Sequence, residues 1–552
     1  MKRREVLAGS LLVPAAAAQG ATAVPTFHQA KIDNLDKAVD ANIARQILDK
    51  SHKYYGSYAG DDGLFYGGTP SSLIDGFLTA YLLPQSRHHK SAKVAERMQM
   101  AAIAYGNAQT KDGNWNLPFT NFNSPPDTSF IMQGTSITLM NARQYGFPDL
   151  EKWMLPAVKR AGDALVLGGI HTPNHRWVAC SALAGLHKLY GDQKYLRRID
   201  QWLAEGIDQD ADAQYTERST IGYNGIVNRA LVLIAEWLQR PEYLGYVRKN
   251  LDACIHLLHA DGEAVTEISR RQDLNQRGTL FNHWPALAYM AWKDQNGRYA
   301  TLARQFEPVY GSPSYILRWP QYSNSLPANQ PLPDNFVKDF PVTGLVRIRR
   351  GAKSISILRG RDRFFTYRHG AAIVNAVRFS SAFFGKGQFS SKTLTHEGGS
   401  YVMTQDLDAG YYQPFTPPRH ITTETYDNTR SQRERTEICR LQYKTTVTEI
   451  DGGCRLRIEA AGTDEVPVTV EINIREGVAI TGAEKVGRFK DAWLLKDGFA
   501  ELSAGGDKVR IGPGIGQHTY LEVRGAKPRL EGNSLFLTGL TPFDHTIEFK
   551  AV

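Results

Sequence analysis

The 552-residue sequence is too long for one ordinary domain, and its 42% hydrophobic and 22% charged residues are typical of a globular protein with a sizeable core. Lys and Arg outnumber Asp and Glu by 65 to 56, which gives a formal net charge of +9. This excess is compatible with plain solubility and also with attraction of a polyanion. The four cysteines form no Cys-x-x-Cys pair and have no His at zinc spacing, which argues against a structural zinc site.

The first 23 residues predict a secretory signal. Arg3 and Arg4 open a charged segment, a short apolar run follows, and Ala21-Thr22-Ala23 supplies small residues for cleavage. The paired arginines are also a feature of twin-arginine signals. No later segment has about 18 uninterrupted apolar residues, so we expect a periplasmic or secreted protein without a membrane span. Export permits disulfides, and Cys439 and Cys454 could pair or stay as free thiols.

Residues 24–320 have the apolar spacing of amphipathic helices, and the pattern predicts about eleven of them. Helix pairs recur at a period of roughly fifty residues, so that each hairpin can bury its neighbour's apolar face. The longer connections, at residues 113–129 and 208–223, lie on one side of the hairpins. We therefore predict an (α/α)5–6 toroid whose rim carries the function.

Residues 345–552 alternate apolar and polar side chains with period two between Gly, Asp and Asn turns. This pattern predicts an antiparallel β-sandwich as a second domain. The Pro-rich segment 321–344 is predicted to be the linker between the two.

The stretch "TPNHRW" places an unusual set of polar groups at the start of a predicted helix. Asn174 is placed to cap this helix, with His175 and Arg176 in its first turn. Capping requires only one short polar side chain, so it does not explain the histidine, the arginine or Trp177. Asp127, at the start of an earlier helix and preceded by Asn123, is explained well enough as an N-cap.

A second polar cluster spans residues 210–231. It contains Glu217, Arg218, Tyr223 and Arg229, on a loop and on the first turns of the helix that follows. One interpretation is structural, with Glu217 and Arg229 as an ion pair. The alternative is that these groups bind or transform a ligand. His283 is a weaker candidate, since a buried histidine often has only a structural role.

The β-rich half contains a third set of polar and aromatic residues. They include Tyr367, His369, Arg378 and Tyr412, which could face the rim of the helical domain. Packing inside the sandwich explains the aromatic residues equally well.

These side chains favour one kind of chemistry over several others. The sequence has no nucleophile elbow, P-loop or dinucleotide fingerprint, and acids are sparse for glycoside hydrolysis by two carboxylates. Asn, His, Tyr and Arg suit β-elimination on a uronic acid. Asn or Arg neutralises the substrate carboxylate, and His and Tyr transfer the protons. This chemistry needs no metal and no organic cofactor.

A helical toroid before an antiparallel β domain, with Asn-His at a helix start and Glu217-x5-Tyr223 downstream, resembles the heparinase II/III-like and alginate-lyase-like polysaccharide lyases. The resemblance implies that Asn174 neutralises the substrate carboxylate and that His175 and Tyr223 act as base and acid. His369 is the implied partner from the β domain. The implied activity is cleavage of an acidic glycan to a 4,5-unsaturated uronate, with no nucleic-acid partner.

Two other functions remain open at this point. One is a glycoside hydrolase on the same toroid, with Asp127 and Glu217 as its acid and base. The other is a periplasmic protein that binds an acidic glycan without changing it. The candidate substrate-binding residues are Arg218, Glu217, Arg229, Asn123, Trp177, Tyr367, Arg378 and Tyr412.

Overall fold

The computed structural model describes residues 27–310 and 312–552, which fall into two compact units. The helical unit comprises the described part of Met1–Ile207 together with Ile226–Val247 and Trp284–Gln330. The sandwich unit comprises Asp208–Gly225, Arg248–His283 and Pro331–Val552. The predicted signal at residues 1–23 lies outside the described residues. Two segments between helices thus belong to the sandwich unit, which contiguous domain boundaries do not anticipate.

The described residues form fourteen α-helices and two short 3₁₀ helices. The α-helices are α1 (Gln29–Arg45), α2 (Thr69–Leu82), α3 (Ala92–Asn107), α4 (Pro125–Gln144), α5 (Asp149–Leu167), α6 (Pro173–Tyr190), α7 (Gln193–Leu203), α8 (Tyr223–Leu238), α9 (Leu244–His256), α10 (Trp284–Asp294), α11 (Gly297–Tyr310), α12 (Pro313–Arg318), α13 (Gln321–Asn324) and α14 (Tyr426–Arg430).

Consecutive helices of the helical unit pack as hairpins, such as α2 with α3, α6 with α7 and α10 with α11. Helices α4 and α6 are buried around much of their circumference, whereas α7 buries only Tyr195 and Ile199. The unit therefore has inner and outer helices. A Cβ on Gly185 of α6 would lie 2.6 Å from the Cβ of Ser136 on α4, so glycine permits the close approach of these two inner helices.

The described part of the chain also forms twenty β-strands, numbered here in chain order. They are β1 (Trp115–Leu117), β2 (Asn121–Ser124), β3 (Asn335–Phe340), β4 (Leu345–Arg350), β5 (Lys353–Leu358), β6 (Phe365–His369), β7 (Ala372–Ser381), β8 (Gly387–Gln388), β9 (Thr395–Glu397), β10 (Ser400–Tyr412), β11 (Arg435–Ile450), β12 (Gly453–Gly462), β13 (Pro467–Ile474), β14 (Ala479–Thr481), β15 (Glu484–Lys485), β16 (Ala492–Leu494), β17 (Ala500–Ala504), β18 (Asp507–Gly512), β19 (Ser534–Leu540) and β20 (Phe543–Ala551).

The strands of the sandwich unit form two large sheets. The ten-stranded sheet has the order β15-β16-β19-β13-β7-β6-β5-β4-β3, with β8 paired to β7. The eight-stranded sheet has the order β14-β17-β18-β20-β12-β11-β10-β9. All their pairs are antiparallel except β16 with β19, which is parallel. An N-terminal helical region followed by a β-sandwich is thereby confirmed, and the expectation of a purely antiparallel sandwich is corrected at that one pair.

One apolar core joins the two sheets. Val468 and Val470 of the ten-stranded sheet share it with Leu456 and Ile458 of the eight-stranded sheet. The opposite face of the ten-stranded sheet is polar but also buried, as Ser354 and the neighbouring strand positions show. We call this the polar face. The segment 248–283 covers it.

A buried ion-pair cluster attaches segment 248–283 to the polar face. The carboxylate of Glu263 accepts two hydrogen bonds from Arg475, at 2.8 and 2.9 Å, and one from Arg368 at 3.0 Å. Burial alone would raise the pKa of Glu263, but the hydrogen bonds and charges of the two arginines outweigh it and lower the pKa to about 2. Glu263 is therefore ionised at every pH at which the protein is expected to work.

The predicted linker and the possible cysteine pair can be compared with the structure. Residues 321–344, predicted as a linker, contain α13 and β3, and β3 is an edge strand of the ten-stranded sheet. All four cysteines are free, so Cys439 and Cys454 do not pair. None of the helices among the described residues is long and apolar enough to cross a bilayer.

Replacing Glu263 with Ala should strongly destabilise the sandwich unit, because Arg475 loses its counter-ion and the buried Arg368 keeps only the Asp261 carboxylate, 3.8 Å away. Loss of one partner of a buried ion pair costs about 3–5 kcal/mol. The urea midpoint, followed by circular dichroism, measures the effect.

The matched control is Glu548→Ala, which removes a carboxylate 2.8 Å from Arg455 on the surface of the eight-stranded sheet. We expect less than about 1 kcal/mol there. Equal midpoints for the two variants would show that the Glu263 cluster does not hold the covering segment.

Candidate functional site

The start of α6 differs from the prediction by two residues. Thr172 is the N-cap, Pro173 is the first helical residue and Asn174 lies within the first turn. The interpretation of Asn174 as the cap is therefore wrong. Its Nδ2 donates to Thr172 Oγ1 at 3.2 Å, and its side chain is buried. Proline at the first position explains the shift, because its missing N–H needs no partner there.

His175 lies in the same turn with 8% of its surface exposed. Its ring meets the ring of His171 edge-on at 4.7 Å and that of Phe130 at 6.0 Å. His171 lines a shallow cavity of about 380 Å³, which the residues before α4 complete. Phe122 in that wall is 69% exposed. The start of α6 thus adjoins a surface cavity through His171.

Three other predicted residues of the helical unit differ in their surroundings. Trp177 has no exposed surface, so the expectation that it contacts substrate is corrected: it packs in the core of its unit. The side chain of Asn123 bonds Thr110, Asn114 and Asp112 within its own loop. Arg229 is half-buried on α8.

Asp127 does not cap its helix. Ser124 is the N-cap of α4, and its hydroxyl accepts from the Asp127 backbone N–H. The Asp127 carboxylate in turn accepts hydrogen bonds from Asn121 at 2.9 Å and from Ser124 at 2.5 Å. The aspartate is therefore part of the capping network, where a negative charge also suits the positive end of the helix dipole.

Tyr223 is the centre of the polar cluster in the sandwich unit. It is the first residue of α8, and its backbone N–H donates to Ser219 Oγ at 2.9 Å. Its hydroxyl donates to Gln272 Oε1 at 3.3 Å. The guanidinium carbon of Arg271 lies 4.9 Å from the centre of its ring, and Arg271 Nε is 3.4 Å from Glu217 Oε1. We call Tyr223, Arg271, Gln272 and Glu217 the tyrosine cluster.

The cluster places a half-exposed phenol beside a fixed positive charge. Glu217 is buried, and its carboxylate forms an ion pair with the Arg271 guanidinium at 3.4 Å. Such an arginine stabilises negative charge that develops on a neighbouring oxygen. The phenol can therefore donate or accept a proton at an orientation set by Gln272 and Arg271.

Arg218, next to Glu217, ties down the same loop. Its guanidinium pairs with Asp210 at 3.3 Å and donates to the carbonyl oxygens of Thr343 and Val342. Burial, and secondarily repulsion from Arg270, lowers the pKa of Arg218. Three oxygen acceptors engage Arg218, so its observed contacts are those of a residue that positions the loop.

The predicted residues of the β-rich half do not gather at one place. Tyr367 is fully buried in the sandwich core beside Phe549, so the expectation that it contacts substrate is corrected. Arg378 pairs with the buried Glu471 at 2.6 Å. Tyr412 lies at the exposed end of β10, with Arg430 5.8 Å from its ring centre.

His369 follows Arg368 on β6 and pairs in register with Lys353. Because successive side chains of a strand alternate, His369 lies on the opposite side of the sheet from Arg368, whose guanidinium reaches Glu263 on the polar face. The structure therefore does not place His369 with the polar-face cluster.

Two buried histidines belong to the covering segment. The Nε2 atom of His283 lies 2.9 Å from the Thr220 carbonyl oxygen, and burial lowers the pKa of His283 to about 4 despite that bond. His259 contacts Ser354 and Arg347. Burial, followed by the charges of surrounding arginines including Arg368 and Arg347, lowers the pKa of His259 well below its usual value. Both rings are neutral near pH 7.

Sequence reasoning missed Arg271, Gln272 and Glu263. They lie in the polar stretch between α9 and α10, which reads as a solvated loop because charged residues dominate it. The available signal was three arginines in "ISRRQDLNQRG" directly before the "FNHW" helix start. Among the described residues, no group of three or more His, Cys, Asp and Glu side chains could hold a metal ion.

Solved structures resemble this chain along nearly its whole length. A Paenibacillus xanthan lyase matches with a TM-score of 0.56 and 10% identity, over 95% of this chain and 58% of the lyase chain. Streptomyces coelicolor A3 chondroitin AC lyase, solved in complex with chondroitin sulphate, matches with a TM-score of 0.55 and 13% identity, over 98% of this chain and 81% of that one. This chain has the polysaccharide-lyase fold.

The lyase fold is what these matches establish, since both identities are low. This chain spans less than two thirds of the xanthan lyase. No protein-family model matches the sequence, and no curated protein matches it.

Acidification should destabilise the protein from pH 6.5 downward. Between about pH 6.5 and 4 an unfolded His283 binds a proton that the folded one does not, so stability falls as pH falls. His283 alone should contribute roughly 2–3 kcal/mol to this loss by pH 4.5. Glu263, with its lowered pKa, adds a loss below about pH 4.5 in the same direction.

Urea midpoints at pH 8, 6.5 and 5 test this expectation. His283→Gln, which keeps a donor for the Thr220 carbonyl, should flatten the dependence between pH 6.5 and 5. His396→Gln, at an exposed position on β9, should leave it unchanged. An unaltered pH dependence in His283→Gln would contradict the assignment.

Proposed function

We propose that this protein is an exported polysaccharide lyase that cleaves a glycan containing uronic acid by β-elimination. The observation that carries the proposal is the tyrosine cluster: a half-exposed phenol held between Gln272 and an arginine that a buried glutamate fixes. Support also comes from the lyase fold, which accommodates this chain along nearly its whole length.

In the proposed reaction the proton on C5 of the uronate leaves, a C4–C5 double bond forms, and the bond from C4 to the bridging oxygen breaks. Tyr223 transfers a proton at one of these steps, and Arg271 stabilises the charge that passes through its oxygen. The two proton transfers need groups in complementary protonation states, so a second residue must serve as the partner of Tyr223.

His175 is the proposed partner, and Asn174 is proposed to neutralise the substrate carboxylate. These two assignments rest on the resemblance of the Asn-His pair to that of known lyases. The cavity beside His171 supports them, because it provides access near the start of α6. The proposed roles use side chains alone.

The substrate class follows from two considerations. The neighbours are named for xanthan and chondroitin, and the second was solved with chondroitin sulphate. The net charge of +9 favours association with a polyanion. Export is proposed from the signal-like residues 1–23.

Tyr223→Phe should lower the rate of elimination at least about 100-fold, since it removes only the hydroxyl that transfers the proton. The measurement is the ultraviolet absorbance of the conjugated 4,5-unsaturated uronate, across a panel of acidic polysaccharides. Tyr426→Phe, at an exposed tyrosine of α14, should retain wild-type activity. Equal rates in wild type and Tyr223→Phe would remove Tyr223 from the mechanism.

A hydrolase that uses Glu217 predicts a product without the ultraviolet chromophore. Under the lyase proposal, Glu217→Gln loosens Arg271 and slows elimination, but any product still carries the ultraviolet chromophore. Release of reducing sugar without that chromophore would instead establish hydrolysis. Binding of the polysaccharide with neither product would establish a non-catalytic glycan-binding protein.

A further inference from the structure

The sandwich unit contains a groove that none of the assignments above uses. Two adjoining cavities, of about 590 and 650 Å³, share Glu267, Asn275, Arg363 and Asn473 among their walls. They lie where the loop after β5, the end of β13, the segment before β19 and the covering segment meet. We call this continuous space the arginine groove.

Two arginines of the groove form no ion pair with a carboxylate of the described chain, although Asp362, Glu476 and Glu531 also line its walls. Arg363 lines both cavities, and no described carboxylate lies within ion-pair distance of it. Arg361 donates only to the carbonyl oxygens of Ile268 and Ser269, both at 3.2 Å. Both side chains are half-buried. An anion that enters here therefore meets cations that are partly removed from water and have not been paired.

The deeper walls are fixed by internal ion pairs. Arg378 is held by Glu471 at 2.6 Å, and Arg475 is held by Glu263. Their geometry is set before any ligand arrives, which lowers the entropic cost of binding.

A sugar fits the remaining groups better than a simple anion does. Glu267 is nearly buried, lines both cavities and has no described cation within ion-pair distance. Its Oε2 accepts from the Thr266 backbone N–H at 2.9 Å, which leaves acceptor capacity directed at the groove. The side chains of Asn275 and Gln276 make no hydrogen bond to described residues. A carboxylate and two free amides can bond to hydroxyl groups, whereas the carboxylate would repel an isolated sulfate.

The groove continues from the tyrosine cluster along the chain. Gln272, which accepts from the Tyr223 hydroxyl, precedes Leu274 by two residues, and Leu274 lines the first cavity. One short segment therefore contributes to both places, and both belong to the sandwich unit.

We propose that the arginine groove binds an acidic sugar residue of the glycan, with Arg363 and Arg361 on its anionic group and Glu267 on its hydroxyls. This proposal rests on the proposed function, because the same glycan would place another of its sugar residues at Tyr223. The substrate is then a glycan with anionic groups on more than one sugar, and binding in the groove sets KM.

The test measures binding in a Tyr223→Phe background, where the glycan is not consumed. The probes are chondroitin sulphate, polygalacturonate, which carries carboxylates only, and neutral dextran. Arg363→Gln should weaken binding of at least one charged probe about tenfold, since a charge-assisted contact is lost. Arg440→Gln, at an exposed arginine of β11, should bind like its parent. Dextran should not bind.

The charged probe that responds identifies the anionic group as sulfate or carboxylate. Glu267→Gln should weaken glycan binding without weakening the binding of inorganic sulfate, because it removes a hydroxyl acceptor and also a charge that repels the anion. In a background with Tyr223 intact, Arg363→Gln should raise KM and leave kcat within about twofold. Unchanged affinity for both charged probes in Arg363→Gln, or equal binding of dextran, would overturn the proposal.

The two proposals fail separately. If unsaturated product forms and Arg363→Gln changes neither Kd nor KM, the groove proposal fails and the lyase proposal stands. If no unsaturated product forms on any glycan but Arg363→Gln weakens binding, the groove stands and the lyase proposal fails.

Discussion

The contact of Glu263 with Arg368 and Arg475 is the interaction on which the sandwich unit's functional surface depends. It attaches a segment from between two helices to the polar face of the ten-stranded sheet. Arg347 and Arg349 add hydrogen bonds to the Leu258 carbonyl oxygen of the same segment. The same segment supplies Arg271 to the tyrosine cluster and Glu267 to the arginine groove, so both sites require the segment to be held still.

The many buried hydrogen-bonding groups of the polar face serve to position the covering segment. An apolar face would pack against a covering segment at a lower free-energy cost, because a buried ion pair seldom stabilises a protein more than well-packed hydrophobic residues do. Arg347, fully buried, donates to Ser356 and to the Leu258 carbonyl and so satisfies the backbone just past α9. These groups make the covering segment's position unique, since a shifted segment would leave charges unpaired. The consequence is sensitivity to acid through His259, His283 and Glu263.

The tyrosine cluster and the arginine groove both belong to the sandwich unit. The tyrosine cluster holds a phenol whose hydroxyl has one acceptor and whose ring has a cation beside it. The arginine groove holds cations without counter-ions and a carboxylate without a cation. These unpaired groups are the basis of the groove proposal, because partly desolvated charges are costly unless something complements them.

Much of the architecture follows from sequence pattern. Helical period predicts the hairpins of residues 24–320, and period-two alternation predicts the sandwich, because each pattern matches one way of burying an apolar face. Tyr223 was also identifiable, as a phenol among polar groups at a helix start. His175 and Asn174 stood out in the same way. Their predicted functions stay predictions.

The rest depended on pairings that no local pattern encodes. Arg271 belongs to a charge-rich stretch that reads as solvent-exposed, and only its contact with a distant glutamate makes it part of a site. The sequence offered both Tyr367 and His369 as candidates to face the rim of the helical domain. The alternation of side chains along β6 instead places both on the core side of the sheet, away from the polar face. The sequence by itself determined which segments are helices and strands, since that depends on residues close along the chain. The tertiary structure decided which charges meet, since partners such as Glu263 and Arg475 are more than two hundred residues apart.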